Sequence, residues 1–207
     1  MQSDPCGASC ATGVRSARCT PKETFRDALH AVLRAEDGRG RPTALTERVL
    51  RQLGFPTPEA LLKGMVAGQI GHASLLSLCP LTFELAAGGD EVAADLMVKQ
   101  GTALGEYAAA AIRRFDMQRL AFDVVLAGSV FKGQGPLLID TVTQVVHRTA
   151  PHATIVRASL EPAAGALLLA YDALGIPVTD ERLAALRSSM PEPALFATGD
   201  VTLTGDT

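Results

Sequence analysis

Ala127, Gly128 and Ser129 stand directly behind the apolar run Val124-Val125-Leu126, with Lys132 three residues further on. Val124 to Leu126 has the continuous hydrophobicity of a strand covered on both faces. In open α/β sheets, ligands bind just beyond the carboxyl ends of the strands. A turn without side-chain bulk there lets the backbone touch a flat ring or a phosphate. The Lys132 ammonium could approach such a phosphate, or sit in solvent on its apolar stem. An ordinary tight turn between strand and helix uses the same residues, so the pattern alone leaves both readings open.

Two better-known phosphate motifs fail here. A P-loop needs G-x-x-x-x-G-K-[ST]. Gly128 and Gly133 have the spacing, but Gln134 and Gly135 stand where Lys and Ser/Thr belong. A dinucleotide fingerprint needs G-x-G-x-x-G. Gly133 and Gly135 supply two glycines, and Leu138 takes the third place. Neither a P-loop NTPase nor a Rossmann dehydrogenase is supported.

Other candidate groups are weaker. Cys6 and Cys10 are spaced as half of a zinc site, but no second pair and no nearby His completes it. With Cys19 and Cys79 they read as reduced, structurally idle thiols. His147 and His152 read as surface residues around a helix end, with no carboxylate or Cys to complete a metal set. No metal site is assigned, and no catalytic residue. Asp90 follows Gly88-Gly89 and reads as a helix cap rather than a base. Asp37, Arg39 and Arg41 read as a polar loop that could border a nucleotide.

The elements that must position the turn follow from period and punctuation. Thr20-Pro21-Lys22-Glu23 is a capping box opening a helix whose face carries Phe25, Leu29, Val32 and Leu33 and which stops at Gly38. Thr43 to Leu53 forms a second helix, and Thr57-Pro58-Glu59 opens a third. Residues 69–87 form two short helices broken at Pro80. A long helix runs from Asp90 to about Arg114, with Val92, Leu96, Leu104, Tyr107, Ala111 and Phe115 as its buried stripe. The pattern then changes to a strand at 122–127, a helix at 136–149, a strand at 154–157, and helices at 162–174 and 179–189. The helix at 136–149 turns Leu137, Leu138, Thr141, Val142, Val145 and Val146 inward. The division is an irregular leader (1–20), a domain over 21–190 (helical 21–118, βαβα 121–190) and a tail (191–207). The fold class is α/β, helix-rich, with an incomplete sheet. Two strands do not make a stable sheet alone. A sheet short of partners predicts self-association, a homodimer being the simplest form, unless the tail covers its edge as a hairpin through Gly199-Asp200.

Composition narrows the function classes. Apolar residues make up 47%, charged residues 20%, and the net charge is −3. That excludes a disordered chain and argues against nucleic acid as a partner, since no basic face stands out. Aromatics are 4% with no Trp, too few for base-stacking platforms. No apolar run is long enough for a membrane span, and no signal-peptide core opens the chain. The expected location is the cytoplasm.

Four stretches, taken in order, resemble a known family. Leu126-Ala-Gly-Ser-Val-Phe-Lys132 resembles the adenosine motif of N-acetylglucosamine kinases. These belong to the wider BadF/BadG/BcrA/BcrD ATPase family of the actin–hexokinase–Hsp70 superfamily. Leu33 to Thr46 is similar to the helix and loop after that family's central nucleotide segment. Ala87-Gly-Gly-Asp-Glu-Val-Ala93 resembles the start of its long interdomain helix, and Glu161 to Ala170 its closing helix. The resemblance covers about residues 24–186. It implies an actin-like (RNase H-like) C-terminal ATPase domain. It implies ATP and Mg as cofactors, and phosphoryl transfer to an amino sugar such as N-acetylglucosamine. Ala127, Gly128 and Ser129 would form the adenine and ribose shelf, with Lys132 near the phosphates. Gly165 would let the closing helix pack close to the nucleotide; plain helix–sheet packing explains that glycine as well.

The sequence departs from the family where chemistry is concentrated. The acidic Asp-Gly-Gly-Gly-Thr phosphate turn and the Gly-Asp-Glu-Gly-Ser segment have no counterpart, and Ala127 stands where the family often has Gly. The leader Gly7 to Gly13 matches neither; a divergent remnant and a disrupted reading frame both account for it. The chain thus corresponds to the C-terminal part of such a kinase, carrying the adenine side and expected to be inactive alone. A non-catalytic nucleotide-binding or interaction module of the same fold is the alternative. An acyl-CoA-linked ATPase activator shares the adenosine motif but calls for Fe–S cysteines whose context is lacking here.

Overall fold

A computed structural model describes residues 21–160 and 162–189. The expected leader with Thr20, Cys6, Cys10 and Cys19, the residue Glu161, and the tail with Gly199-Asp200 lie outside the described residues.

Helices come first: α1 (Pro21–Glu36), α2 (Leu45–Leu53), α3 (Pro58–Val66), α4 (His72–Leu76), α5 (Leu78–Ala87) and the long α6 (Glu91–Arg114). Strand β1 (Asp123–Leu126), α7 (Leu137–His147), β2 (Thr154–Arg157), α8 (Pro162–Ala173) and α9 (Asp180–Ser188) follow. The chain is therefore a helix-rich α/β protein with a small parallel sheet.

The helical front closes around one core. Phe25, Leu29 and Val32 recur at three- and four-residue spacing on α1 and meet Leu45 and Val49 of α2, Leu61 of α3 and Leu78 of α5. Each such side chain, fully buried, contributes about 1.5–3 kcal/mol. Caps agree with the sequence: the Thr57 hydroxyl accepts from the Ala60 amide at 3.1 Å, and Pro58 takes the first helical position. The break in 69–87 falls at Ser77, not at Pro80. Pro80 lies in the first turn of α5, where a helix has no use for its amide donors, so it does not break the helix.

A second core joins sheet and helices. Leu126, Val142, Val146 and Ile112 pack together, with Val124 and Ile155 beside them. β1 and β2 run parallel, pairing Asp123 with Thr154 and Leu126 with Arg157. The ladder extends past both ends: the Thr154 amide donates to the Phe122 carbonyl at 2.8 Å and the Ala158 amide to that of Leu126 at 2.9 Å. The expectation that β1 is covered on both faces is corrected. Leu126 is 6% exposed, but Val125 is 58% exposed. Val124 and Leu126 point into the core with Val142 and Val146, while Val125 alternates to the opposite face.

The buried stripe of α6 is also corrected. Tyr107, Ala111 and Phe115 are exposed, and Val92, Leu96 and Leu104 are half-buried. The buried face carries Ala93, Met97, Gln100, Gly101, Gly105, Ala109 and Ile112. It is a seam of small residues, along which α7 lies close. A Cβ added to Gly101 would stand 2.8 Å from the Leu138 carbonyl oxygen, and one added to Gly105 would stand 2.6 Å from Val145 Cβ. On α7, Leu138, Thr141, Val142 and Val146 are buried as expected, and Leu137 and Val145 are half-buried. On α8 and α9 little is buried: Ala164 is enclosed, whereas Leu169 and, just past the end of α8, Leu174 are 72% and 74% exposed.

Candidate functional site

The site is the turn between β1 and α7. Gly128 has φ 117° and ψ 161°, a conformation essentially restricted to glycine. Ser129–Lys132 then form one 3-10 turn, which the sequence did not foretell, and α7 starts at Leu137 with Pro136 as its cap residue. The Phe131 amide donates to the Gly128 carbonyl at 3.2 Å. Val130 and Phe131 sink into a cluster with Phe83, Met97 and Leu138. Gly133 lies so tightly on Phe83 that an added Cβ would come within 2.5 Å of the ring. The turn is thus pinned from below by α5 and α6, while Ala127, Gly128 and Ser129 face solvent. Lys132 is half-buried at the end of the 3-10 turn.

Parallel pairing sets a second turn beside the first. Leu126 lies opposite Arg157, so the chain leaves β1 and β2 at the same edge of the sheet. Ala127–Ser129 follows one strand, and Ala158 and Ser159 follow the other, leading to Gly165 in α8. A Cβ added to Gly128 or to Gly165 meets no atom within 4 Å. At Gly165, therefore, no neighbouring element of the described chain packs against the missing side chain. Open space over a glycine turn, an apolar floor and a lysine fit a flat heterocycle with a phosphate tail. Residues 127–136 carry no carboxylate, and their side-chain oxygens are those of Ser129 and Gln134, so a Mg ion here would be held mainly through the phosphates of a nucleotide.

The remaining candidates act structurally. Asp90 accepts from the Ala93 amide at 2.8 Å, from the Ala44 amide at 2.7 Å and from the Thr43 hydroxyl at 2.9 Å. Burial alone would raise its carboxyl, but these donors outweigh burial and its pKa is lowered. It ties the start of α6 to the start of α2. Asp37 is paired with Arg39, whose guanidinium hydrogen bond lowers the carboxyl's pKa, and Arg41 reaches Glu91 and Asp95. These exposed pairs keep the loop's charges within the chain. His147 is exposed with Nε2 2.9 Å from the Ala153 carbonyl oxygen, and His152 is exposed. Cys79 is buried, which pushes its thiol up to about 11.

One cavity of about 180 Å³ lies elsewhere, between α1 and α6, and is lined by Thr24, Asp27, Leu96, Lys99, Gln100 and Ala103 among others. The sequence reading missed it. Its signal was a glutamine, Gln100, at a spacing that continues the apolar face through Met97.

By architecture this is a helix-rich α/β unit whose parallel strand pair opens on a glycine turn. No family model matches the chain. Over 148 residues it is 28% identical to an N-acetyl-D-glucosamine kinase of Dictyostelium discoideum, a match that takes in 70% of this chain and 46% of that protein. The chain spans about half the length of this curated relative. Among the described residues, no helix is long and apolar enough to cross a membrane.

Proposed function

We propose that this chain is the adenine-nucleotide side of an N-acetylglucosamine-kinase-like sugar kinase with the actin-like ATPase fold. Ala127, Gly128 and Ser129 form the shelf for adenine and ribose, Gly165 borders it from α8, and Lys132 approaches the phosphates. Mg-ATP is the phosphoryl donor and an amino sugar the acceptor. The observation that carries this reading is the open Gly128 turn at the carboxyl end of a parallel strand pair. The similarity to an N-acetyl-D-glucosamine kinase supports the choice of nucleotide and substrate class. Catalysis of phosphoryl transfer rests on positioning, metal and a base. This chain supplies the first of these for the nucleotide, and turnover by the chain alone is not expected.

Calorimetry with ATP and ADP tests the reading. Both should bind, and Gly128→Leu should abolish binding. That variant also strains a backbone reserved for glycine, so Ser129→Leu serves as a second blocking change where φ is ordinary. Unchanged affinity in a folded Ser129→Leu protein moves the site elsewhere. Sugar-dependent turnover near one per second in a coupled assay would refute the assignment to one side only. A second reading is a nucleotide-binding or interaction module without catalysis. ATP binding with no turnover under any added sugar, even with a complementing lobe present, distinguishes it.

A further inference from the structure

The amino edge of the sheet, opposite the glycine turn, carries apolar surface and charge that the fold does not use. α6 closes in a left-handed turn: Asp116 has φ 54°, and the Met117 amide donates to the Ile112 carbonyl at 3.0 Å. That closure packs Met117 onto the second core beside Ile112 and leaves Phe115 outside. Phe115 is 69% exposed, and Leu120, at the end of the next turn, is 54% exposed. Every other phenylalanine among the described residues is buried or half-buried. Exposed arginines accompany them: Arg113, Arg114 and Arg119 on this side, and Arg148 on the facing loop between α7 and β2. The two loops form one surface. Arg113 Nη1 donates to Thr149 Oγ1 at 3.2 Å, and Met117 and Phe122 share a cluster with Ala150 and Ala153. Every ion pair among the described residues joins positions between 27 and 99, so no carboxylate neutralises these arginines, although Asp116 and Asp123 stand near them in the chain. The arginines form no run in the sequence; folding gathers them, in a chain whose net charge is −3.

We propose that this edge docks reversibly on an anionic lipid surface, with Phe115 and Leu120 entering the headgroup layer and the arginines lying on its phosphates. Charge complementarity sets the sign of the partner: unpaired guanidiniums call for anions, and their planar fork takes a phosphate in two bonds. The apolar pair sets its kind. Protruding side chains need either a matching pocket or a medium that yields to them, and a lipid interface yields. Basic residues held near an anionic leaflet add their attractions, so a cluster of this size binds where one arginine would not. The Gly128 turn lies at the other end of β1, about 13 Å away along its four residues, so a docked chain keeps that turn open.

The test is flotation of the full chain with vesicles of phosphatidylcholine and phosphatidylserine in equal parts, against vesicles of phosphatidylcholine alone. The chain should float with the first and not the second, and added salt should release it. Arg119→Gln and Arg148→Gln should each weaken partition about fivefold. Phe115→Ser with Leu120→Ser should weaken it roughly tenfold or more. The chain has no Trp, so Phe115→Trp places a single reporter at the surface. Its emission should shift to the blue on anionic vesicles, whereas Leu62→Trp, exposed on α3, should not shift. Equal flotation with both vesicle types overturns the proposal, as does unchanged partition of the Phe115 and Leu120 variant or an equal blue shift at Leu62→Trp. So does a chain that ignores vesicles but binds a duplex oligonucleotide through Arg119 and Arg148, or one that ignores vesicles and forms a dimer that Phe115→Ser dissolves; these outcomes give the edge to nucleic acid or to a second copy.

Discussion

Replacing Gly101 by alanine sets helix propensity against space. In the middle of α6, alanine is favoured over glycine by about 1 kcal/mol. Its Cβ, however, would stand 2.7 Å from Thr141 Cβ and 2.8 Å from the Leu138 carbonyl oxygen, distances that real Cβ contacts do not reach. Neither neighbour is the swinging end of a side chain. The carbonyl is backbone, and Thr141 Cβ is one bond from it, so α7 as a whole must retreat. Overpacking of this kind costs typically 1–3 kcal/mol. With the backbone obstacle placing it in the upper part of that range, the net loss is about 1–2 kcal/mol. For a chain of this size that lowers Tm by roughly 3–6 °C. At Gly105 the nearest atoms are Val145 Cβ at 2.6 Å and the Val142 carbonyl oxygen at 3.2 Å, again on α7. A retreat forced by one alanine makes room for the other, so the double variant should lose less than the sum of the singles. Urea unfolding followed by circular dichroism, on both singles and the double, measures this. Because α7 directly follows the β1 turn, affinity at the proposed nucleotide site should fall alongside stability. A rise in stability of about 1 kcal/mol for Gly101→Ala, the propensity gain alone, would refute the close approach of α6 and α7.

Asp90→Ala should destabilise by about 2 kcal/mol, since it removes a cap and the anchor of Thr43 and Ala44 together. The folded pKa of Asp90 is lowered, so its carboxylate contributes stability above its usual value of 3.8 that is lost as pH falls through the lowered value. Asp90→Asn should flatten that part of an acid-unfolding curve. Cys79 has the opposite sign. Its thiol favours the neutral form in the fold, so its contribution is full below the usual 9.0 and declines as pH rises toward about 11. At pH 8 a thiol reagent should label Cys79 only at the rate of unfolding; rapid labelling would contradict its burial. The open face at Val125 and the unpaired outer edges of the described strand pair should make the chain self-associate with concentration. A monodisperse monomer melting cooperatively above roughly 65 °C by light scattering would refute that.

What could be read from the sequence was what local chemistry decides. β2 was legible at Thr154–Arg157 because turn residues bound a short apolar run on both sides. Asp90 was legible as a cap because two glycines precede it and a long helical period follows. The buried face of α6 is hidden in the sequence because large side chains such as Tyr107 and Phe115, which are exposed, dominate its apolar pattern. The true contact is made by Gly101 and Gly105, whose spacing of one helical turn is the signal of close approach that large residues overshadow. The open face of β1 is hidden for another reason. Continuous hydrophobicity describes what a strand tolerates, whereas exposure at Val125 depends on which other elements arrive. The turn at Ala127–Ser129 was recognisable as a bare βα turn. Its pinning by Phe83 on Gly133 joins residues fifty positions apart and leaves no local trace.

The sparse burial of α8 and α9 has a kinetic consequence. A helix that encloses little beyond Ala164 gives up little when it detaches, whereas α6 and α7 open only by separating the second core. Amide exchange should therefore fall into two tiers. Backbone amides of α8 and α9 should exchange through local openings that leave the rest intact, and those of α6 and α7 only when the whole chain unfolds. The boundary between the tiers crosses the proposed nucleotide site, with Gly128 anchored on the slow side and Gly165 carried on the fast one. Such a site is a jaw with one fixed half, and a nucleotide held across it would register first as slowed exchange in α8.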